Sequence, residues 1–371
     1  MASRIRKIAA QGQAIWLDYI SRALLESGEL RELMNEGVTG VTSNPSIFQQ
    51  SIAKGSEYDA QIRELARAGL DKVAVYEALA LRDIGQAADH LRPVYNETHG
   101  RDGYVSIEVS PELAHDADAT IAEARRLYGV LERPNVMIKV PATEEGLPAI
   151  KTLIGDGINV NVTLIFSVSM YKRVMQAYLD GLRRLQAAGR PIGLVGSVAS
   201  FFVSRVDTVV DKLLARRIEA GEKKLDTLRG QAAIANSKIA YARYQEVFES
   251  AQFADLRAAG ARVQRPLWAS TSVKNPAFPD TKYVDALIGP NTVNTVPPQT
   301  LAAIRDHANV ARTIDLDVDD AFGVIERLHE QDLDIEDVAA RLLTDGVQAF
   351  ADSYATLLSD VEAKRAKYAG A

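Results

Sequence analysis

One lysine lies at a position where an apolar side chain is expected. The run Asn135–Pro141 is short and bounded by prolines, as is typical of a buried β-strand, and Lys139 is its only charged residue. Because successive side chains of a strand point to opposite faces, Lys139 shares a face with Met137. A buried ammonium group needs a partner, a shifted pKa or a chemical role. Lys139 is therefore the first candidate functional residue.

Polar residues alternate with apolar ones along other strand-like segments as well. Each of two segments carries its polar residues on one face: Ser106, Glu108 and Ser110 in the first, and Asn159, Asn161 and Thr163 in the second. Asp18 lies near the end of another such segment. In a barrel, helices cover the outer face of each strand, and that face must be apolar. The polar residues are therefore expected to point into the barrel.

The chemistry predicted for this set is that of an amine nucleophile. Lys139 would form a Schiff base with a carbonyl substrate, while Asp18, Glu108 and Thr163 would manage protons and water. Aldol cleavage or aldol transfer fits these groups. For any single residue the alternative is a buried ion pair, such as Lys139 with Glu108 or Asp18. Taken together, the polar residues favour a catalytic site, because barrel active sites lie at the C-terminal ends of the strands.

Composition argues against several other kinds of site. The chain has no cysteine, which excludes disulfides, thiol catalysis and cysteine-based metal sites. Its five histidines are scattered, and no glycine-rich nucleotide-binding loop follows the first strand, so neither a metal nor a cofactor is expected. The net charge of −6 argues against general binding of nucleic acid or anionic membranes. Without a membrane-spanning run, the expected location is the cytoplasm.

Strands and helices alternate along the chain and would position these residues. Eight strands are predicted: Ile15–Ile20, Val38–Ser43, Tyr104–Ser110, Val136–Pro141, Val160–Phe166, Ile192–Phe202, Pro266–Ser272 and Asn291–Val296. Helical spacing is found in Tyr58–Leu91, Ala114–Leu131, Val168–Ala188 and Val206–Ala251. This alternation predicts parallel strands joined by right-handed crossovers. Eight such strands close into a barrel, so the predicted fold is α/β, of the (β/α)8 TIM barrel type.

The chain is predicted to form a single domain. No linker, repeat or low-complexity segment divides its 371 residues, so the barrel domain is expected to span residues 1–371. Residues 314–371 follow the eighth strand and are predicted to be a C-terminal helical extension. Within it, Val338–Val361 carries apolar residues on one broad face, which predicts a helix packed on the barrel. A structural role is the simpler explanation of this helix.

Several motifs resemble those of the transaldolases, in particular those of the longer bacterial type. Transaldolases belong to the class I Schiff-base aldolases. The matching stretches are Trp16–Asp18, Thr42–Ser46, Ser106–Val109, Met137–Gly146, Asn161–Ser167 and Ser200–Arg205. They follow one another on separate predicted strands and span about half of the chain directly. The resemblance implies transfer of a dihydroxyacetone unit from sedoheptulose 7-phosphate to glyceraldehyde 3-phosphate. The products would be erythrose 4-phosphate and fructose 6-phosphate, in the pentose phosphate pathway.

The resemblance also implies roles for individual residues. Lys139 would be the Schiff-base lysine, Glu108 and Thr163 would hold a catalytic water, and Asp18 would be the acid/base at the carbon–carbon bond. Substrate binding is implied for Thr42, Asn44, Asn161, Ser200, Phe202, Arg205, Ser272 and Lys274, with the Arg205 guanidinium facing the phosphate. Where family members carry an arginine after the seventh strand, this chain has Lys274. A lysine would hold phosphate as a point charge, without bidentate geometry.

Alternatives to the transaldolase reaction remain open. The related fructose 6-phosphate aldolases, which are much shorter chains, carry a tyrosine at the position of Phe202. A phenylalanine there favours transfer over simple aldol cleavage, although Phe202 could also serve only in packing. A non-catalytic barrel that binds sugar phosphates is a further alternative. The expected partners are small-molecule sugar phosphates, without nucleic acid or membrane, and both a monomer and a homodimer are compatible with the sequence.

Overall fold

The computed structural model describes residues 3–368, in which eight parallel strands form a closed barrel in sequence order. The strands are β1 (Gln13–Leu17), β2 (Val38–Thr42), β3 (Tyr104–Glu108), β4 (Val136–Pro141), β5 (Val160–Ile165), β6 (Ser197–Phe202), β7 (Arg265–Ala269) and β8 (Thr292–Val296). The predicted (β/α)8 barrel is confirmed. Residues 1–2 and 369–371 of the predicted domain lie outside the described residues.

One helix precedes β1, and the other helices follow the strands and pack around the barrel. They are α1 (Arg4–Ala10), α2 (Arg22–Glu26), α3 (Glu29–Glu36), α4 (Pro45–Lys54), α5 (Asp59–Arg67), α6 (Lys72–Glu97), α7 (Ala117–Leu131), α8 (Gly146–Gly155), α9 (Val168–Ala187), α10 (Ser204–Glu219), α11 (Ala232–Phe248), α12 (Ala251–Ala258), α13 (Lys282–Ala286), α14 (Pro298–His307), α15 (Val318–His329) and α16 (Ile335–Ala366). No helix in the described chain is long and apolar enough to cross a membrane.

Three long predicted segments are interrupted in the structure. Tyr58–Leu91 is divided into α5 and α6 at Gly69, which has a left-handed φ of +81°. Val206–Ala251 is divided by the turn at Gly221 and a 3-10 helix, Lys223–Leu228. The predicted strand Ile192–Phe202 begins only at Ser197, because its first residues form a 3-10 turn. A local apolar pattern does not register such breaks when apolar residues continue across them.

Five strands end earlier than predicted, and the ends of β1 and β7 matter for the cavity described below. β1 ends at Leu17, so Asp18 is the first residue after the strand. β7 ends at Ala269 because Ser270 takes a left-handed conformation, with φ +55°. In a barrel, residues that follow the strands line the C-terminal mouth. The shorter strands therefore place Asp18 and Ser270 at the position where active sites are built.

The register of three neighbouring strands aligns polar residues at one level. Glu108 of β3 pairs with Lys139 of β4, and Lys139 pairs with Asn161 of β5. Paired residues on adjacent strands lie side by side and project to the same face. Pro141 of β4 pairs with Thr163, one layer nearer the C-terminal end. The parallel register thus gathers residues that are far apart in the sequence.

The last helix, α16, packs on the barrel as predicted. It contacts α4, α5, α6 and α10 and reaches β5 at the centre of the fold. Its buried residues include Val338, Leu342, Phe350, Tyr354, Leu357, Leu358 and Val361. These residues recur at helical spacing on one face, so burial of this face holds the helix to the barrel.

Candidate active site

A cavity of about 210 Å³ opens at the C-terminal ends of the strands. It brings together most of the residues predicted from the sequence: Asp18, Thr42, Asn44, Lys139, Thr163, Ser200, Phe202, Arg205, Ser272 and Lys274. The other two predicted residues are Glu108, which contacts Lys139, and Asn161, which is buried and hydrogen-bonded to Ser200 of the lining. The sequence-predicted set therefore converges on one site.

Lys139 projects into the barrel from the middle of β4 and is 5% exposed. Its Nζ donates a hydrogen bond to the carbonyl oxygen of Ser43 at 3.0 Å. The same nitrogen lies 3.6 Å from Glu108 Oε2, so the ion pair considered from the sequence is present. The ammonium group therefore has one neutral acceptor and one carboxylate, and it also faces the cavity.

Glu108 is enclosed between Lys139 and a second, smaller cavity. Burial raises the pKa of this carboxyl group, and the Lys139 ammonium opposes the rise. The second cavity, of about 50 Å³, is also lined by Tyr76, Ser110 and Tyr354. Within residues 3–368, neither Glu108 Oε2 nor Thr163 Oγ1 has a hydrogen-bond partner, although both atoms are buried. Two unsatisfied polar atoms at one site are suited to binding water or a substrate hydroxyl.

Asp18 faces the cavity from the end of β1 and is only partly buried as a residue. Its Oδ1 accepts a hydrogen bond from Thr42 Oγ1 at 2.6 Å. Thr42 Oγ1 also lies 2.6 Å from Thr295 Oγ1. Desolvation raises the pKa of the Asp18 carboxyl group, while Lys139, the Thr42 hydrogen bond and Arg205 act in the opposite direction. A carboxyl group with a raised pKa is suited to accepting and returning a proton.

The floor of the cavity is a chain of hydrogen bonds centred on Asn161. Its Nδ2 donates to Ser106 Oγ at 3.1 Å, and its Oδ1 accepts from Ser200 Oγ at 2.7 Å. These bonds fix the orientation of the amide and of both hydroxyl groups. Asn159, on the same predicted face, is not part of the site, because its Nδ2 donates to the backbone at Pro134 and Val136.

Two basic residues besides Lys139 line the cavity, Arg205 and Lys274. Lys274 Nζ donates to Ser272 Oγ at 2.6 Å, so these two predicted residues are in contact. The Arg205 guanidinium lies 5.2 Å from the centre of the Phe202 ring. Burial lowers the pKa of Arg205, and Asp18 opposes this shift. Arg205 and Lys274 together provide positive charge for an anionic substituent of a ligand in the cavity.

Comparison with known proteins shows the family of this chain. The family model described as transaldolase/fructose-6-phosphate aldolase matches residues 15–361. The chain belongs to the transaldolase/fructose-6-phosphate aldolase family. A transaldolase of Mycolicibacterium smegmatis is 49% identical over 95% of this chain and 94% of its own. One of Thermobifida fusca is 48% identical over 97% and 98%, and the transaldolase 2 of Nostoc sp. PCC 7120 is 47% identical over 98% and 97%.

Some residues that line the catalytic cavity were not predicted from the sequence. Thr295, Gln299 and Phe350 all line it, and the centre of the Phe350 ring lies 5.9 Å from Lys139 Nζ. The signal for Thr295 was a polar residue on a predicted strand. For Phe350 the sequence offered only its place on the apolar face of α16. Which apolar residue of that face meets the barrel mouth depends on how the helix docks.

The strand β5 has an irregularity near its C-terminal end, and α16 packs against this strand. Leu164 has a left-handed φ of +59°, and the pairing of β5 with β6 shifts between Val162 and Ile165. A leucine in this conformation costs roughly 1–2 kcal/mol. Gly346 of α16 packs here, since a Cβ on it would lie 3.0 Å from Leu164 Cδ2. The irregularity follows Thr163 directly and therefore acts on the position of its hydroxyl group.

No group of three or more metal-ligating side chains is arranged to hold an ion within residues 3–368. The residues of this site support the chemistry of an amine beside carboxyl groups. Lys139 carries an amine, and Asp18 and Glu108 carry carboxyl groups in different surroundings, so this set is suited to nucleophilic and acid/base chemistry.

Proposed function

We propose that this protein is a transaldolase that forms a Schiff base on Lys139. It transfers a dihydroxyacetone unit from sedoheptulose 7-phosphate to glyceraldehyde 3-phosphate, giving erythrose 4-phosphate and fructose 6-phosphate. The observation that carries the proposal is the buried Lys139 amine, in one cavity with Asp18 and 3.6 Å from Glu108. Relatives named transaldolase, 47–49% identical over nearly the whole chain, support it.

The first half-reaction joins the donor to the enzyme. The lone pair of Lys139 Nζ, once deprotonated, attacks the ketone carbon and forms a carbinolamine. Glu108 then gives a proton to the departing hydroxyl group, which leaves as water, and the imine forms. The free acceptor capacity of Glu108 Oε2 and Thr163 Oγ1 supports their proposed role in holding this water.

The second step breaks the carbon–carbon bond. Asp18 accepts the proton of the hydroxyl group next to the cleaved bond, and the electron pair of that bond moves to the imine nitrogen as an enamine forms. The short aldose leaves, and the acceptor aldehyde takes its place. The enamine attacks this aldehyde while Asp18 returns the proton. Water finally hydrolyses the new imine, which releases the product and the free Lys139 amine.

Substrate recognition follows from the remaining groups of the cavity. We infer that Asn44, Asn161 and Ser200 bind hydroxyl groups of the dihydroxyacetone part. Arg205 and Lys274 are proposed to bind the phosphate, because both are cationic and line the cavity. A cytoplasmic location is proposed because the chain lacks cysteine and sugar phosphates are intracellular metabolites.

Phe202 bears on the choice between the two activities in the family description. Its ring packs beside Phe166, with centroids 5.1 Å apart, and offers no hydroxyl group to water. This favours transfer over release of free dihydroxyacetone. A fructose 6-phosphate aldolase would consume fructose 6-phosphate without an acceptor aldehyde, whereas a transaldolase needs one for continued turnover. Continued consumption without an acceptor would therefore select the alternative.

The covalent step is tested by trapping. Borohydride added together with fructose 6-phosphate reduces an imine, and mass spectrometry of the digested protein is expected to find the adduct on Lys139. The Lys139→Ala protein should form no adduct. Asp18→Ala should keep part of the adduct and lose erythrose 4-phosphate formation in a coupled assay, because it acts after the imine. An adduct on another lysine, or none at all, would contradict the mechanism.

A further inference from the structure

A third cavity, of about 210 Å³, lies at the opposite end of the barrel from Lys139. It is formed at the N-terminal ends of β3, β4, β6 and β7 and by the segment that precedes β3. Three arginines line it, Arg101, Arg262 and Arg265, together with the polar residues His99 and Asn291. Tyr104, Met137 and Val198 form a less polar wall. The cavity therefore differs from the catalytic one both in place and in lining.

The positive charge in this cavity exceeds the negative charge. Arg265 lies 3.3 Å from Asp102, whose carboxylate also accepts a hydrogen bond from Trp16 Nε1. Among residues 3–368, no carboxylate oxygen lies within 4.0 Å of a side-chain nitrogen of Arg101 or Arg262. One carboxylate thus accompanies three guanidinium groups. A polar cavity with surplus positive charge raises the local concentration of anions.

The three arginines differ in how many of their N–H groups are already bonded to the protein. Arg262 donates to the carbonyl oxygens of Gly100 and His99, and Arg265 donates to that of Arg101. These bonds tie down the segment before β3. Arg101 itself is exposed and makes one side-chain hydrogen bond, to Asn291 Oδ1 at 3.1 Å. A guanidinium has five N–H donors, so most of those on Arg101 are available to a ligand.

We propose that this cavity binds a small phosphate-bearing anion, either inorganic phosphate or a phosphate monoester. Guanidinium groups present paired donors that match phosphate oxygens. The cavity equals the catalytic one in volume, so it has room for a short carbon chain beside Met137 and Val198. The site is separate from the proposed transaldolase site, and its occupancy is measurable without turnover.

The experiment is calorimetric titration with inorganic phosphate and with glycerol 3-phosphate, at constant ionic strength. The starting protein is the double variant Arg205→Ala/Lys274→Ala, in which both proposed catalytic phosphate contacts are removed. Adding Arg101→Glu is expected to raise the dissociation constant of the remaining site at least tenfold. The matched control adds Arg67→Glu, a surface change on α5 with the same charge difference, and should leave binding unchanged.

Each outcome has a defined meaning. Saturable binding that Arg101→Glu weakens and Arg67→Glu does not supports the site, and tighter binding of glycerol 3-phosphate identifies an ester as the preferred ligand. Equal binding in all three proteins, or equal weakening by both substitutions, overturns the proposal. Should Arg101→Glu fail to fold, Arg101→Gln removes the guanidinium group and its charge without adding a negative one. The Lys139 trapping experiment is unaffected by either result.

Discussion

The Lys139–Glu108 ion pair is poorly suited to stabilising the fold. Removing two charges from water costs several kcal/mol each, and one contact at 3.6 Å with an unsatisfied Glu108 Oε2 does not offset this cost well. The same features are useful for catalysis. An enclosed amine with a carboxyl group of raised pKa beside it has a local route for its protons. The pair is better explained by its chemistry than by its contribution to folding.

The Thr42–Asp18 hydrogen bond gives a prediction for the pH dependence of activity. Thr42 donates to the ionised carboxyl group and so lowers its pKa against the effect of burial. In Thr42→Val this stabilisation of the charged form is lost, and the pKa of Asp18 rises further. If Asp18 must be ionised, the acid limb of kcat/KM moves to higher pH.

The measurement is the profile of kcat/KM for transfer between pH 4 and pH 9, with Thr300→Val as the control. Thr300 is buried in α14 and does not line the catalytic cavity, so its replacement should leave the limb in place. A limb that stays in place in Thr42→Val, or moves to lower pH, would show that Asp18 does not control it.

At the scale of elements, the strands were predicted more accurately than the helices. β4 has the predicted ends, and β2, β3, β5 and β8 differ from prediction by a residue or two. Period-two alternation and buried apolar runs are local signals, so they can be read from sequence. The starts of β6 and α6 were missed because turns there carry apolar residues on both sides. Glycines with left-handed φ mark such breaks only once the backbone is known.

The polar residues of the site were predictable for a related reason. Glu108, Lys139, Asn161 and Thr163 stand out because polar side chains interrupt apolar strands. The family resemblance was needed for Asn44, Arg205 and the residues after β7, which lie on loops or helix starts without a periodic signal. Phe350 was not identified by either route. Its position over Lys139 depends on the packing of α16, which no short stretch of sequence specifies.

The helix α16 contributes a wall to the catalytic cavity, and this leads to a prediction for Phe350→Ala. The ring lies 5.9 Å from Lys139 Nζ, where it would keep water from one side of the proposed imine. Shortening it should lower the transfer rate and raise the release of free dihydroxyacetone from fructose 6-phosphate. The stability cost should be below the roughly 3–5 kcal/mol typical of a fully enclosed phenylalanine, since this ring borders a cavity.

The ratio of dihydroxyacetone release to transfer is the quantity to measure, by separate coupled assays. Phe322→Ala is the matched control, because Phe322 is 39% exposed on α15 and does not line the cavity. An unchanged ratio in Phe350→Ala would mean that the ring serves packing alone.

At the scale of the whole molecule, the barrel and its C-terminal extension share one apolar core. Apolar side chains of α16 belong to the same buried cluster as those of the strands. Clusters of this kind usually define one domain. The extent of that domain, residues 1–371 with an extension from residue 314, stays a prediction. A single domain is expected to unfold cooperatively, because elements that share a core unfold together.

We predict that α16 and the barrel unfold in a single transition. The chain has no cysteine and two tryptophans, Trp16 and Trp268, which are buried on β1 and β7. Their fluorescence reports the barrel, while a dye on Asp345→Cys reports α16, since Asp345 is exposed on that helix. The two signals should have coincident midpoints on heating and in denaturant, because loss of α16 exposes its apolar face and that of the barrel. A dye on Lys172→Cys of α9 provides the control for the label itself. If the Asp345 dye alone changes at lower temperature, α16 is a separately unfolding unit and the single-domain prediction fails.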